Sequence, residues 1–140
     1  MKFTYKIAGG DFNAAGNASS AVKKVLKQLN VDPTVSKKTV VALYEGEVNI
    51  VAHAWSGKIT VNIDTEKIDI LLEDSGPGIP DIEKAMEEGF STASPRVREM
   101  GFGAGMGLPN MKRNTDILNI SSRAGEGTKV EIRNYIKKNG

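Results

Sequence analysis

Asp74-Ser75-Gly76-Pro77-Gly78-Ile79 closes the apolar run Ile68-Asp69-Ile70-Leu71-Leu72, so it reads as a turn leaving a buried strand. Further along comes Gly101-Phe102-Gly103-Ala104-Gly105-Met106-Gly107-Leu108, and the residues after it read as a helix. Alternating glycines strip side chains from a loop and let backbone N–H groups approach an anion, and a helix N-terminus behind them adds a favourable dipole. A carboxylate on one loop and a bare anion cradle on the other point to a nucleotide site. The second segment is not a P-loop, because no Gly-Lys-Ser/Thr follows it. Its G-x-G-x-G-x-G spacing, with no strand before it, does not match the dinucleotide fingerprint either. One such loop alone is as readily a plain surface loop; two together, with the helix described below, favour a site.

At 140 residues the chain is expected to form one domain, spanning 1–140, with room for a core. A net charge of +2 points to neither nucleic acid nor membrane as a partner. There are no cysteines, which excludes disulfides and thiolate metal sites. No apolar run approaches membrane-spanning length and residues 1–10 do not resemble a signal peptide, so a cytoplasmic location is expected.

Lys2 to Ile7 alternates as a strand, and Gly9-Gly10-Asp11 reads as a turn with Asp11 or Asn13 as N-cap. Ala14 to Leu29 reads as a helix with Ala14, Ala18, Ala21, Val22, Val25 and Leu29 on one face, ended by Asp32-Pro33. Ser36 is expected to cap a longer helix running to about Ala54. Lys58 to Ile63 and Ile68 to Leu72 read as a hairpin, Asp81 to Glu88 as a short helix, and Gly89 to Gly101 as a loop. Pro109 to about Asp116 reads as a helix, followed by strands Ile117 to Ser122 and Thr128 to Ile132.

The second helix carries the chemistry. At about 100° per residue, Val40, Val41, Tyr44, Val48, Val51 and Ala52 form an apolar stripe. Glu45, Asn49 and His53 follow at i+4 along one flank, with Glu47 on the other. An Asn offers a carbonyl oxygen to Mg²⁺, and a Glu one turn away is placed to take a proton from a hydroxyl. The same row also fits a solvated polar flank. His53 reads as a helix-end charge, and Tyr44 and Trp55 as core.

Four ordered boxes, Glu45-x-x-x-Asn49-x-x-x-His53-Ala54, Asp74-x-Gly76-x-Gly78, Gly103-x-Gly105-x-Gly107 and Gly125-x-Gly127-Thr128, resemble those of the GHKL (gyrase, Hsp90, histidine kinase, MutL) ATPase superfamily. Within it, Gly78-Ile79-Pro80-Asp81, Glu88-Gly89-Phe90-Ser91-Thr92 and Gly107-Leu108-Pro109-Asn110-Met111-Lys112-Arg113 look most like the anti-sigma-factor and stress-switch serine kinases. The resemblance implies an α+β fold, a two-layer α/β sandwich of the Bergerat, histidine-kinase-like type, with helices on one face of a mixed sheet. It implies ATP or ADP with Mg²⁺ as cofactors. Asn49 would ligate Mg²⁺ and Glu45 would serve as general base. Asp74 would bind the adenine amino group with Thr128 in support, and Gly76 and Gly78 would turn the chain beside the base. Gly103, Gly105, Gly107 and Leu108 would border the phosphates. The segment Ala93 to Met100 looks longer than in the compact switch kinases, which leaves Arg96 and Arg98 as candidate phosphate contacts only.

Three function classes follow from that resemblance. The first is a serine/threonine kinase acting on a STAS-domain partner, with a sigma factor or a phosphatase regulator as further associates. The second is an ATP-dependent anti-sigma or adaptor module that transfers little phosphate. The third, a sensor-kinase core, is disfavoured because the lone histidine lies inside the nucleotide box. Glu45 separates the first two, since a base is needed for transfer and dispensable for binding.

Overall fold

Alternation sorts every strand into an inward and an outward face, and the register makes the faces continuous. The computed structural model describes residues 1–78, 86, 107–123 and 125–136. Its strands are β1 (Lys2–Ala8), β2 (Ser56–Ile63), β3 (Lys67–Ser75), β4 (Ile117–Arg123) and β5 (Gly127–Tyr135). Its helices are α1 (Asn17–Gln28), α2 (Pro33–His53) and α3 (Gly107–Arg113). The sheet order is β1-β2-β3-β5-β4. Tyr5, Ile59, Leu72, Val130 and Ile120 lie in one cross-strand row, and Phe3, Val61, Ile70, Ile132 and Leu118 in the next. These rows meet Ala18, Val22 and Leu26 of α1, Leu43 and Ile50 of α2, and Leu108 and Met111 of α3 in one core. The opposite face carries Lys2, Lys6, Asn62, Glu73 and Glu131, all exposed.

The two-layer α+β architecture is the expected one, with a difference in the sheet. Every described pairing is antiparallel, where a mixed sheet was expected. The reason is topological. The crossover from β3 to β4 does bring two strands into the same direction, but β5 lies between them, so no parallel ladder forms.

The helices also differ from expectation in register. α1 begins at Asn17, after a 3-10 turn at Phe12–Ala14 and Gly16 at φ 95°. Neither Asp11 nor Asn13 caps it. Its first amides are held from outside: Glu47 Oε2 accepts from the N–H of Gly16 at 3.0 Å and of Ala18 at 3.1 Å, and Glu47 Oε1 from the N–H of Ser19 at 3.1 Å. The Ser19 hydroxyl donates to Glu47 Oε1 at 2.6 Å. Its buried face is Ala18, Ser19, Val22 and Leu26, while Leu29 is exposed.

α2 starts three residues before Ser36, because Pro33 occupies its first turn and Asp32 Oδ1 accepts from the Thr34 N–H at 2.8 Å. Its buried face is Thr39, Ala42, Leu43, Gly46, Glu47, Val48, Ile50 and Val51. Val48 and Val51 belong to the expected stripe; Tyr44 and Trp55 are exposed instead of core. The difference has a steric cause. A Cβ on Gly46 would stand 2.5 Å from Leu72 Cδ2 and 3.3 Å from Met111 Cε. The helix lies on β3 and α3 through its small residues, which a count of large apolar side chains overlooks.

Candidate functional site

The row on α2 survives the change of register. Glu45, Asn49 and His53 are all half-buried along one flank of the helix. Eight residues of helix span roughly 12 Å, so the row links two separate places. At the Glu45 end stands Gly107, the first residue of α3. A Cβ on Gly107 would lie 3.4 Å from Asn49 Oδ1 and 3.5 Å from Glu45 Oε2, space that glycine leaves open between those groups. At the His53 end stands Gly76, whose Cβ would lie 3.0 Å from Ala54 Cα and 3.5 Å from the His53 carbonyl oxygen.

Beyond Gly76 the inner face of the sheet ends in a polar row. Asp74 follows Ile70 and Leu72 on that face of β3, Thr128 precedes Val130 on β5, and Ser122 follows Ile120 on β4. Asp74 Oδ1 accepts from the Thr128 N–H at 3.0 Å. The Thr128 and Ser122 hydroxyls lie 3.0 Å apart, and Ser122 donates to the Gly127 carbonyl at 3.1 Å. Gly127 has φ 109°, and a Cβ there would collide with the Asp74 carbonyl oxygen. Gly78, at φ 80°, packs on the same group: its Cβ would lie 3.0 Å from Ser122 Oγ. Gly125 donates its N–H to the Pro77 carbonyl at 2.9 Å, tying the turn after β3 to the turn before β5.

Burial shifts the titration of these groups. It raises the Glu45 carboxyl above the ordinary glutamate value, partly offset by a hydrogen bond from Asn110. It likewise raises Asp74, with the Thr128 N–H pulling the other way. It lowers His53, which therefore favours a neutral imidazole over the expected helix-end cation.

Leu108 is buried in the core. Gly103, Gly105, Arg96, Arg98 and the expected helix Asp81 to Glu88 lie outside the described residues, Met86 of that helix excepted. Sequence reasoning missed three participants. Asn110 Nδ2 donates to Glu45 Oε1 at 3.3 Å, and Arg113 Nη1 donates to Asn110 Oδ1 at 2.8 Å. Ser122 joins Thr128, and strand parity with Leu118 and Ile120 was the signal for it.

The residues present suit a nucleotide and a magnesium ion. A carboxylate with one oxygen held by a backbone amide matches an amino donor, and Gly107 keeps the space beside Asn49 and Glu45 free of a side chain. Among the described residues no group of three or more His, Cys, Asp or Glu side chains is placed to hold a metal. A single carboxamide oxygen, that of Asn49, fits magnesium, which takes one or two protein oxygens and completes its shell with phosphates and water. No helix among the described residues is long and apolar enough to cross a membrane.

Known proteins resemble this chain in sequence or in fold. The family model described as histidine kinase-, DNA gyrase B-, and HSP90-like ATPase matches residues 34–137. The serine/threonine-protein kinase RsbT of Bacillus subtilis is 34% identical over 119 residues, covering 82% of this chain and 84% of the relative. An anti-sigma F factor of Caldanaerobacter subterraneus is 36% identical over 118 residues, covering 78% of each chain. Among solved structures, the RsbU and RsbW domains of a Mycobacterium tuberculosis protein superpose with a TM-score of 0.64 at 14% identity, over 95% of this chain and 32% of that one. The mycobacterial sensor histidine kinase MprB gives a TM-score of 0.55 at 17% identity, over 96% of this chain and 97% of that one. With a carboxylate–carboxamide row beside one glycine cradle and an aspartate–threonine pair beside another, this chain belongs to the histidine kinase-, DNA gyrase B- and HSP90-like ATPase family, alongside the serine/threonine kinase and anti-sigma F factors it resembles.

Proposed function

We propose that this protein is an ATP-dependent serine/threonine kinase that regulates a sigma factor by phosphorylating a STAS-domain partner in the cytoplasm. The observation that carries the reading is the meeting of Glu45, Asn49 and Gly107, a base, a carboxamide and an open cradle contributed by α2 and α3. The names of the relatives, a serine/threonine-protein kinase and an anti-sigma F factor, support the substrate class.

When bound, ATP with magnesium would supply the γ-phosphoryl group to the hydroxyl and leave as ADP. Asp74 accepts from the adenine amino group through the oxygen that Thr128 leaves available, and Gly76 and Gly78 bring the chain beside the base. Asn49 would hold the cation through its carboxamide oxygen. Glu45 takes the proton from the incoming serine or threonine hydroxyl. Its burial suits that role, because a carboxyl raised above its ordinary value is a stronger base nearer neutral pH. A guanine ring places an acceptor where adenine places its amino donor, and an unpaired buried polar group costs about 1–3 kcal/mol.

Labelled ATP or GTP, a STAS-domain protein and the purified chain test this together. Transfer of label from ATP to a partner serine or threonine is expected, with GTP much poorer. Equal use of ATP and GTP would remove Asp74 as the adenine reader. Tight ATP binding with no transfer to any STAS-domain protein would leave a nucleotide-gated binding module.

A further inference from the structure

We propose that Asn110 is a positioning residue for the Glu45 carboxylate, and that Arg113 holds the Asn110 amide the right way round. The inference rests on the reading of Glu45 as the base. The two ends of a carboxamide have nearly the same shape but opposite polarity, so an unrestrained amide presents either end. A guanidinium only donates. Arg113 Nη1, at 2.8 Å from Asn110 Oδ1, therefore selects the orientation in which Nδ2 faces α2. Nδ2 then meets Glu45 Oε1 at 3.3 Å. The reversed amide would set a carbonyl oxygen against the carboxylate and a donor against the guanidinium.

The consequence is a choice between the two oxygens of Glu45. Asn110 engages Oε1, and Oε2 is the atom 3.5 Å from where a Gly107 Cβ would stand, beside Asn49. One oxygen is anchored and the other is turned to the cradle. The anchoring bond is long and comes from a neutral donor, so it orients the carboxylate without quenching it as a direct ion pair would. Arg113 contributes its charge at one remove, through the amide dipole. Because Arg113 is exposed, its share is smaller than that of Asn110. Helix geometry explains how this arises. Asn110 and Arg113 are three residues apart on α3, a spacing that stacks side chains on one face, and the packing of Met111 beneath Gly46 holds that face against α2.

The test uses the free protein and the transfer assay. In the nucleotide-free protein, the Asn110 side-chain amide resonance is expected to shift on Glu45→Ala and on Arg113→Met, and to stay in place on Glu66→Ala. In the assay, Asn110→Ala is expected to lower kcat about tenfold, as for loss of one hydrogen bond to a charged group, with nucleotide Kd and Tm close to the parent. Asn110→Asp has the same shape but cannot donate when ionised, so it is expected to lose at least as much; Asn110→Gln, which can, recovers part. On a Glu45→Ala background, Asn110→Ala is expected to cost nothing further. Parent-like kcat in Asn110→Ala, together with loss of transfer in Glu45→Ala, overturns the positioning role and leaves the base standing. An amide resonance indifferent to Glu45→Ala overturns it as well. Parent-like transfer in Glu45→Ala overturns the base reading and this role with it.

Discussion

Glu45 and Glu47 are the same residue two positions apart on one helix, and they sit in opposite surroundings. Separated by about 200° around α2, they face different neighbours. Glu47 is fully buried, and both its oxygens are engaged by three backbone amides and a hydroxyl at the start of α1. Glu45 is half-buried, and among the described residues its carboxylate accepts one long hydrogen bond. A carboxylate whose acceptor positions are filled has little left to offer a substrate and belongs to the fold. One that is partly desolvated and mostly unoccupied keeps its basicity. Acidity and helical spacing do not separate the two; hydrogen-bond occupancy does.

The largest effects come from removing each carboxylate in turn. Glu45→Ala is expected to lower phosphoryl transfer by about 10²- to 10⁴-fold, the usual worth of a general base, with nucleotide affinity within a few-fold and little change in melting. Glu47→Ala leaves buried amides without an acceptor and is expected to cost at least about 3 kcal/mol. That corresponds to a fall in Tm of roughly 10 °C. Differential scanning fluorimetry beside the transfer assay reads both. A Glu47→Ala protein that melts like the parent and fails only in transfer would collapse the contrast.

Between the two acids sits Gly46, which lets α2 lie close to Leu72 and Met111. Gly46→Ala is expected to destabilise by about 1–3 kcal/mol through overpacking, measured by urea unfolding. It also displaces α3, so kcat is expected to fall while the Glu47 contacts persist. Unchanged stability would show that the helix does not depend on this close approach.

The smallest effect sharpens the contrast from the side of pH. Burial raises Glu45, so its base form is lost at a higher pH than for an ordinary glutamate. The transfer rate is expected to fall as pH drops through that raised value. The sign for stability is the reverse. A carboxyl raised in the folded state favours folding when protonated, and that contribution disappears as pH rises through the folded value. Glu45→Gln is therefore expected to melt slightly higher than the parent near neutral pH, an effect kept small by the site's partial exposure. A Glu45→Gln protein that melts lower there would mean the carboxylate is stabilised by its surroundings and not merely desolvated.

Much of the candidate site's arrangement was legible because its signals are local. Gly78 and Gly127 mark close approaches that no side chain tolerates and Gly76 a tight one, whereas Gly125 stands in open space and serves its turn through a φ of 78°. The i+4 spacing of Glu45, Asn49 and His53 holds in any straight helix, so the row forms even though the helix starts four residues earlier than expected and turns a different face to the core. What misled was the treatment of residue size and charge as guides to burial. Tyr44 and Trp55 are large and exposed, whereas Glu47 is charged and buried.

The sequence by itself determined the strands, through the alternation of inward residues, and the order of the glycine boxes along the chain. It also determined which side chains share a helical row, since spacing along a helix is a property of the backbone. Only the tertiary structure decided which acid is structural. The start of α1 reaches Glu47 across roughly thirty residues of chain, and no local pattern encodes that meeting. Likewise it brought Asn110 to Glu45 and Thr128 to Asp74, pairs far apart in sequence. Such contacts follow from where the helices and strands come to rest against one another, and that depends on the packing of small residues such as Gly46 as much as on the pattern of large ones.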